Sequence, residues 1–260
     1  MFSQIFSVEG KTVLITGGTR GIGYMIAEGY LRAGAKVYIS SRKKAACVAA
    51  EQELLQFGEV HAIPCDVTDE ADCRALIDEI AARESQLHVL VNNAGTTWGA
   101  QFDEFPGEGW DKVLAANVKA PFTLTQLARP LLEKGSADND PARVINIGSI
   151  DGLVVPTLGN YSYSASKAAI HHLTRHLAAD LAPSILVNAI APGPFPSKMM
   201  AHTLEEIGDQ LRAASPVNRI GEPTDAASTA VFLSSRASNF ITGAVIPLDG
   251  GLATTLGIQL

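Results

Sequence analysis

The stretch that most limits how this chain can fold is Lys11-Thr12-Val13-Leu14-Ile15-Thr16, followed at once by Gly17-Gly18-Thr19-Arg20-Gly21-Ile22-Gly23. The first six residues are a short, β-branched apolar run, the pattern of a strand buried on both faces. After the glycines, an apolar-periodic segment continues to about Ala33, as a helix would. In that order, glycines let backbone approach a pyrophosphate, and the helix start offers free N–H groups and a positive dipole end. The spacing is Gly-x-x-x-Gly-x-Gly rather than the commoner Gly-x-Gly-x-x-Gly. A plain strand-to-helix turn is the alternative, but the flanks favour a dinucleotide site drawing on Gly17, Thr19, Arg20, Gly21, Ile22 and Gly23.

The alternation continues through the chain. Strands are expected at 36–41, 59–63, 88–91, 143–148, 184–190 and 244–248, and helices at 44–57, 69–83, 107–134, 160–182 and 223–235. This predicts an α/β fold: a single Rossmann-like doubly wound parallel sheet of about seven strands, helices on both faces, and a ligand site along the strands' carboxyl ends. No linker, repeat or composition break divides residues 1–260, which read as one domain. Within it, 195–215 reads as a mobile, weakly amphipathic lid. Phe195, Met199, Met200, Leu204, Ile207 and Leu211 would either cover a greasy substrate or simply pack as a helix.

Composition narrows the ligand. Hydrophobic residues are 47% and charged ones 18%, which suits a soluble protein with a substantial core. No apolar run approaches the ~20 residues of a membrane span, and the N-terminus shows no secretory pattern. The three cysteines make no Cys-x-x-Cys pair and read as reduced thiols, so a cytoplasmic protein is expected. A net charge of −7 argues against nucleic acid and anionic membrane. An anionic ligand must then meet a local basic cluster. An NAD site usually sets an acid about 20 residues past the glycines. Here no acid lies between Lys36 and Ala50, and Ser41 is followed by Arg42, Lys43 and Lys44. With Arg20 in the glycine loop, these predict a 2′-phosphate and hence NADP(H), against the plainer reading of a solvated charge run. Asp66, with Val67 beside it, follows the third strand and could accept from an adenine amino group. Asn93, Ala94 and Gly95 follow the fourth, where small residues let a flat ring or ribose lie close. Both also read as turn chemistry.

Tyr163 and Lys167 are four residues apart and share one helix face. A fixed ammonium near a phenol favours phenolate, so this pair is expected to give a tyrosine usable as acid or base near neutrality. Tyr161 cannot form such a pair, since Ala165 stands four residues on. Asn117 sits inside a helical stretch, where asparagine is mildly unfavourable, and reads as having a polar task in the interior. His172 and His176 are spaced like helix metal ligands, but no glutamate stands beside them, and a polar helix surface is expected; no metal is assigned.

Taken together, Thr16-Gly17-x-x-x-Gly21-x-Gly23, Asn92-Asn93-Ala94-Gly95, Asn117, Ser149, Tyr163-x-x-x-Lys167 and Pro192-Gly193 resemble the motif series of short-chain dehydrogenase/reductases over essentially the whole chain. The likeness is greatest to NADPH-dependent β-ketoacyl reductases of the rhamnolipid-pathway type. The resemblance implies that Tyr163 protonates the substrate oxygen, Ser149 hydrogen-bonds it, Lys167 binds the nicotinamide ribose and depresses the tyrosine pKa, and Asn117 holds a relay water. It adds Tyr163, Lys167, Pro192, Gly193, Phe195 and Ser197 to the cofactor contacts, Ser197 standing where the family often has threonine. It also implies a homotetramer built through the long helices and the last strand. The implied substrate is a small-molecule ketone, chiefly a 3-oxoacyl thioester, with a sugar, polyol or steroid-like ketone as the alternative. A dinucleotide sensor without catalysis is the reading from another class, disfavoured because all four catalytic positions are filled. Docking of an acyl carrier protein would need basic residues near the site; loop 135–141 carries Asp138 and Asp140, and the catalytic helix offers Asp180. Ketone reduction is therefore expected without carrier docking being implied.

Overall fold

A computed structural model describes residues 2–156, 158–197 and 200–255. After a short helix α1 (Phe2–Ile5), the chain alternates strand and helix. The order is β1 (Thr12–Thr16), α2 (Gly21–Arg32), β2 (Lys36–Ser41), α3 (Lys44–Leu54), β3 (Val60–Pro64), α4 (Glu70–Arg83) and β4 (Val89–Asn92). Helices α5 (Gly107–Leu114) and α6 (Ala120–Lys134) come next, then β5 (Ala142–Ile147), α7 (Tyr161–Leu181) and β6 (Ile185–Pro192). Helices α8 (Ala201–Ala214) and α9 (Pro223–Ser234) and strand β7 (Val245–Leu248) follow. The seven strands form one parallel sheet in the order β3-β2-β1-β4-β5-β6-β7. The order reverses between β1 and β4, where Val13, Leu14 and Ile15 pair with Val89, Leu90 and Val91. That is the switch point at which a doubly wound sheet opens a crevice.

The continuous apolar strands serve two cores. Val13, Ile15, Val37, Ile39, Val89 and Val91 face one, with Ile26 and Leu233; Leu14, Tyr38, Leu90 and Val144 face the other, with Leu76, Leu124 and Leu177. Each such fully buried aliphatic side chain contributes about 1.5–3 kcal/mol. At the amino end of the sheet two cations are buried as well. Lys11 Nζ donates to Asp140 and to the Ser234 carbonyl, both at 2.8 Å. Arg143 donates to the carbonyls of Leu233 (3.2 Å), Ser235 (3.1 Å) and Pro141 and to Asn239 Oδ1 (2.6 Å). The carbonyls left over at the C-terminus of α9 thus receive positive charge.

Two expectations are corrected, at the helices 107–134 and 44–57, and the stretch 195–215 is seen to hold a helix. The stretch 107–134 is not one regular helix: a π turn at Ala115–Lys119 separates α5 from α6, and Asn117 lies in it. Pro121, which lacks an N–H, stands four residues after Asn117, so the Asn117 carbonyl has no α-helical donor and the ladder slips there. The 195–215 segment contains helix α8, broken at Ile207 (φ −130°). Met199 lies outside the described residues, and the Phe195 ring is core, 1% exposed and packed over Gly221 rather than on a lid surface. Helix α3 stops at Leu54, short of 57. Among the described residues no helix is long and apolar enough to cross a membrane.

Candidate active site

The crevice at the switch point is built from the loops after β1 and β4, which are hydrogen-bonded into one unit. Thr16 Oγ1 accepts from the amides of Asn93 (3.1 Å) and Ala94 (3.0 Å). Asn93 Nδ2 donates to the carbonyls of Thr16 (2.9 Å) and Gly17 (3.1 Å). This closeness is what demands glycine: Gly17 has φ 66°, and a Cβ on Gly23 would stand 2.3 Å from Asn93 Nδ2. Helix α2 then begins with no side chain capping it, Arg20 being extended at its N-cap. Its first-turn N–H groups are left for an anion. The residues fit a pyrophosphate, and Thr19, Gly21 and Ile22 line the same turn.

The charge pattern continues the fit. Arg20 and Arg42 are both exposed, and Ser41 closes β2 beside them. Asp66 Oδ1 accepts from the amide (3.0 Å) and hydroxyl (2.7 Å) of Thr68. Burial works against the Asp66 charge, but those two donors and nearby Arg42 outweigh it, and the carboxyl is held below its usual range. The Asx turn and a free Oδ2 coexist here, so the plain and functional readings of Asp66 are compatible. Val67 follows it, half-buried. On the far side of the crevice β6 ends at Pro192, Gly193 backs directly onto Asp249, and Ser197 Oγ accepts from the Met200 amide (3.3 Å).

Beyond β4 and β5 stand the four residues expected to be catalytic. Ser149 follows β5 and is 8% exposed; its Oγ accepts the Asp151 amide (3.1 Å). Tyr163 and Lys167 lie one turn apart on α7. Asn117 is buried, and its side chain is fully used: Oδ1 accepts from the Thr96 amide, while Nδ2 donates to the Thr96 carbonyl and to Ser166 Oγ, each at 2.9 Å. Gly95 lies against Asn117 Oδ1. Ser166 in turn donates to the Tyr163 carbonyl (2.7 Å). Asn117 therefore joins the β4 loop to α7 by its side chain, which leaves no side-chain atom over for a water.

Electrostatics correct the sequence reading of the pair. Lys167 Nζ donates to the Ile147 carbonyl (2.8 Å) and stands 5.4 Å from the Tyr163 ring centroid. Burial, softened by the Ser149 hydroxyl, pushes the Tyr163 phenol up to about 12, where a lowered value was expected. Burial likewise pushes Lys167 down to about 8, against the pull of Asp151. Desolvation disfavours both charges, and the ammonium is turned to the Ile147 carbonyl.

The motif series marks Thr16 and Asn92 but does not say what their side chains do; Thr16 Oγ1 is the acceptor that joins the two loops. Asn92, Asn146 and Thr174 form a buried chain behind the catalytic side chains, Asn92 Nδ2 to Asn146 Oδ1 and Asn146 Nδ2 to Thr174 Oγ1, both at 2.9 Å. His171 is buried behind Gly148, whereas His172 and His176 are exposed, His176 pairing with Asp180 at 3.6 Å. Trp98 packs on Gly109 of α5, with Lys112 Nζ 5.3 Å from its ring.

A glycine turn fitted to pyrophosphate, set beside a Ser, Tyr and Lys cluster on one parallel sheet, defines a dinucleotide-dependent oxidoreductase site. A family model described as Enoyl-(Acyl carrier protein) reductase matches residues 17–253, and the chain belongs to the short-chain dehydrogenase/reductase family. It is 44% identical over 250 residues to the rhamnolipids biosynthesis 3-oxoacyl-(acyl-carrier-protein) reductase of Pseudomonas aeruginosa, covering 95% of this chain and 97% of that one. The solved RhlG/NADP active-site complex of the same organism superposes with a TM-score of 0.93 at 43% identity, over 96% of this chain and 99% of the other. The 5-keto-D-gluconate 5-reductase of Escherichia coli is 35% identical over 96% of this chain and 98% of its own.

Proposed function

We propose that this chain reduces a ketone to a secondary alcohol with NADPH, and that its substrate is a 3-oxoacyl thioester. The observation that carries the reading is the placement of Ser149, Tyr163 and Lys167 along one edge of the crevice whose other edge is the uncapped start of α2. NADPH, when bound, supplies the hydride. The glycine turn and α2 hold its pyrophosphate, and Arg20 and Arg42 its 2′-phosphate. Thr19, Ile22, Ser41, Asp66, Val67, Ala94 and Gly95 complete the adenosine and ribose side, and Pro192, Gly193, Phe195 and Ser197 support the nicotinamide side through backbone and hydroxyl groups.

The protein's own task is the proton. Ser149 Oγ accepts the Asp151 amide, which leaves its hydroxyl hydrogen to donate to the substrate oxygen. Tyr163, held protonated by burial, gives that oxygen its proton. Lys167 keeps two N–H groups beyond the bond to Ile147 and can hand a proton on to a water.

Support for an acyl thioester comes from the loop after Ser149, where Leu153, Val154, Val155 and Leu158 are exposed apolar groups beside the site. The gluconate-type relative keeps a sugar-acid ketone as the second reading. A panel of 3-oxoacyl-CoA, 3-oxoacyl-carrier and 5-keto-sugar-acid substrates separates these by kcat/KM with NADPH. A preference of tenfold or more for the sugar acid would overturn the thioester. We further propose a cytoplasmic homotetramer. The three free cysteines are buried, and Trp110, Leu114, Phe122 and Tyr161 expose apolar surface along α5–α7, as does Phe240 ahead of β7. A monomeric mass by light scattering at micromolar concentration would refute the assembly.

A further inference from the structure

Asp151 lies two residues beyond Ser149. Its carboxylate Oδ2 accepts from Asn160 Nδ2 at 3.0 Å. Asn160 is the N-cap of α7, and its carbonyl accepts the amides of Tyr163 (2.9 Å) and Ser164 (3.0 Å). The turn carrying Asp151 packs flat on the same helix: a Cβ on Gly152 would stand 2.5 Å from the carbonyl carbon of Lys167. One acid is thus tied through its amide to Ser149, through its side chain to the cap that seats Tyr163, and through its turn to the backbone of Lys167.

We propose that Asp151 is a positioning residue that seats Tyr163 and Lys167 through the Asn160 cap and its own turn, and whose carboxylate charge shifts the pH range over which the site reduces ketones. This rests on the ketone-reductase reading above. The ionisable groups around it are few. Tyr163 and Lys167 face it from α7. His171 lies one turn further on, kept neutral by burial at about 4, and exposed Arg175 lies beyond His171. A carboxylate disfavours a second negative charge on the phenol and favours the ammonium, and both effects run in that direction here. Burial raises the carboxyl of Asp151 itself, while Asn160 and Lys167 pull it back. Without the charge, the phenol and the ammonium both lose their protons at lower pH.

The test compares Asp151→Asn with Asp151→Glu. Asparagine keeps the shape and the acceptor for Asn160 but not the charge; glutamate keeps the charge but lengthens the arm. The alkaline limb of kcat/KM for ketone reduction should fall by about half a pH unit or more in the Asn variant and stay near wild type in the Glu variant. An independent readout needs no turnover. Tyrosinate absorbance, taken as the difference between proteins with and without Tyr163, should appear at lower pH in Asp151→Asn. A wild type that reduces no ketone would remove the functional reading, and the absorbance titration would still decide this one. An Asn variant that keeps the wild-type limb and titration, or one that folds without measurable turnover, would overturn the role of the charge and leave Asp151 only as a strut for Asn160.

Discussion

Lys11 and Lys167 are buried to nearly the same degree, 7% and 6% exposed, at opposite ends of the sheet. Lys11, at the amino end, meets a carboxylate and a helix-terminal carbonyl, both at 2.8 Å. Lys167, at the carboxyl end, meets one carbonyl at 2.8 Å and the face of a tyrosine ring. Burial lowers both, but the bond and charge of Asp140 work against it at Lys11, while Lys167 descends to about 8. An ammonium has three hydrogens to place. Where they are spent inside the protein the lysine is part of the scaffold; where two are withheld it is ready for a ligand. Burial alone does not distinguish structure from chemistry, whereas the count of satisfied donors does.

The largest effect expected at the carboxyl end is that of Tyr163→Phe. It removes the proton donor and keeps the ring, so kcat should fall by ~10²–10⁴-fold with cofactor binding retained. Near wild-type kcat would mean another donor and would dissolve the contrast between the two ends. Lys167→Ala should cost activity by about 10²-fold and raise the KM for NADPH together, because two withheld donors are lost. Thermal melting should hardly change, since the replaced charge was poorly paired. Lys11→Ala should do the reverse. Removing one partner from a largely buried pair should cost about 2–3 kcal/mol, discounted because Asp140 is partly exposed. Its kcat/KM per folded molecule should stay within about twofold, and a larger drop would show that the two ends are coupled.

Smaller effects sharpen the picture. Arg42→Ala should reduce the preference for NADPH over NADH by roughly five-fold, and added salt should narrow the wild-type preference, because both arginines are exposed. Equal kcat/KM with NADH in the wild type would sink the 2′-phosphate assignment. Finally, ketone reduction should decline as pH rises through about 8, where Lys167 gives up its charge. A profile flat to pH 10 would place the ammonium somewhere less buried than the site suggests.

The strands and the helix order were legible because a doubly covered parallel sheet writes itself as unbroken apolar runs, as in Val13-Leu14-Ile15. The Tyr163–Lys167 spacing was legible for the same kind of reason, since helix geometry fixes neighbours four apart. What the pair does to its own pKa values was not. That depends on which carbonyl the lysine reaches and how far both are desolvated, neither of which has a sequence period. The π turn around Asn117 escaped because five residues of wider winding barely alter an apolar pattern, although Pro121 marked the spot. Phe195 stayed open between two readings, because a greasy residue beside a loop looks alike whether it covers a substrate or fills a gap over Gly221. Arg143, in the middle of an apolar run, gave no hint that its guanidinium would tie β5 to the end of α9.

The four hydrogen bonds that lock Thr16 and Gly17 to Asn93 and Ala94 have a consequence for how the cofactor arrives. The two loops on either side of the switch point behave as one solid wall, shaped before anything enters. Little chain entropy remains to be lost on binding, so affinity can be spent on contacts rather than on ordering. The entry of the dinucleotide should look like docking into a finished socket, with a heat-capacity change no larger than the buried surface of the ligand itself accounts for.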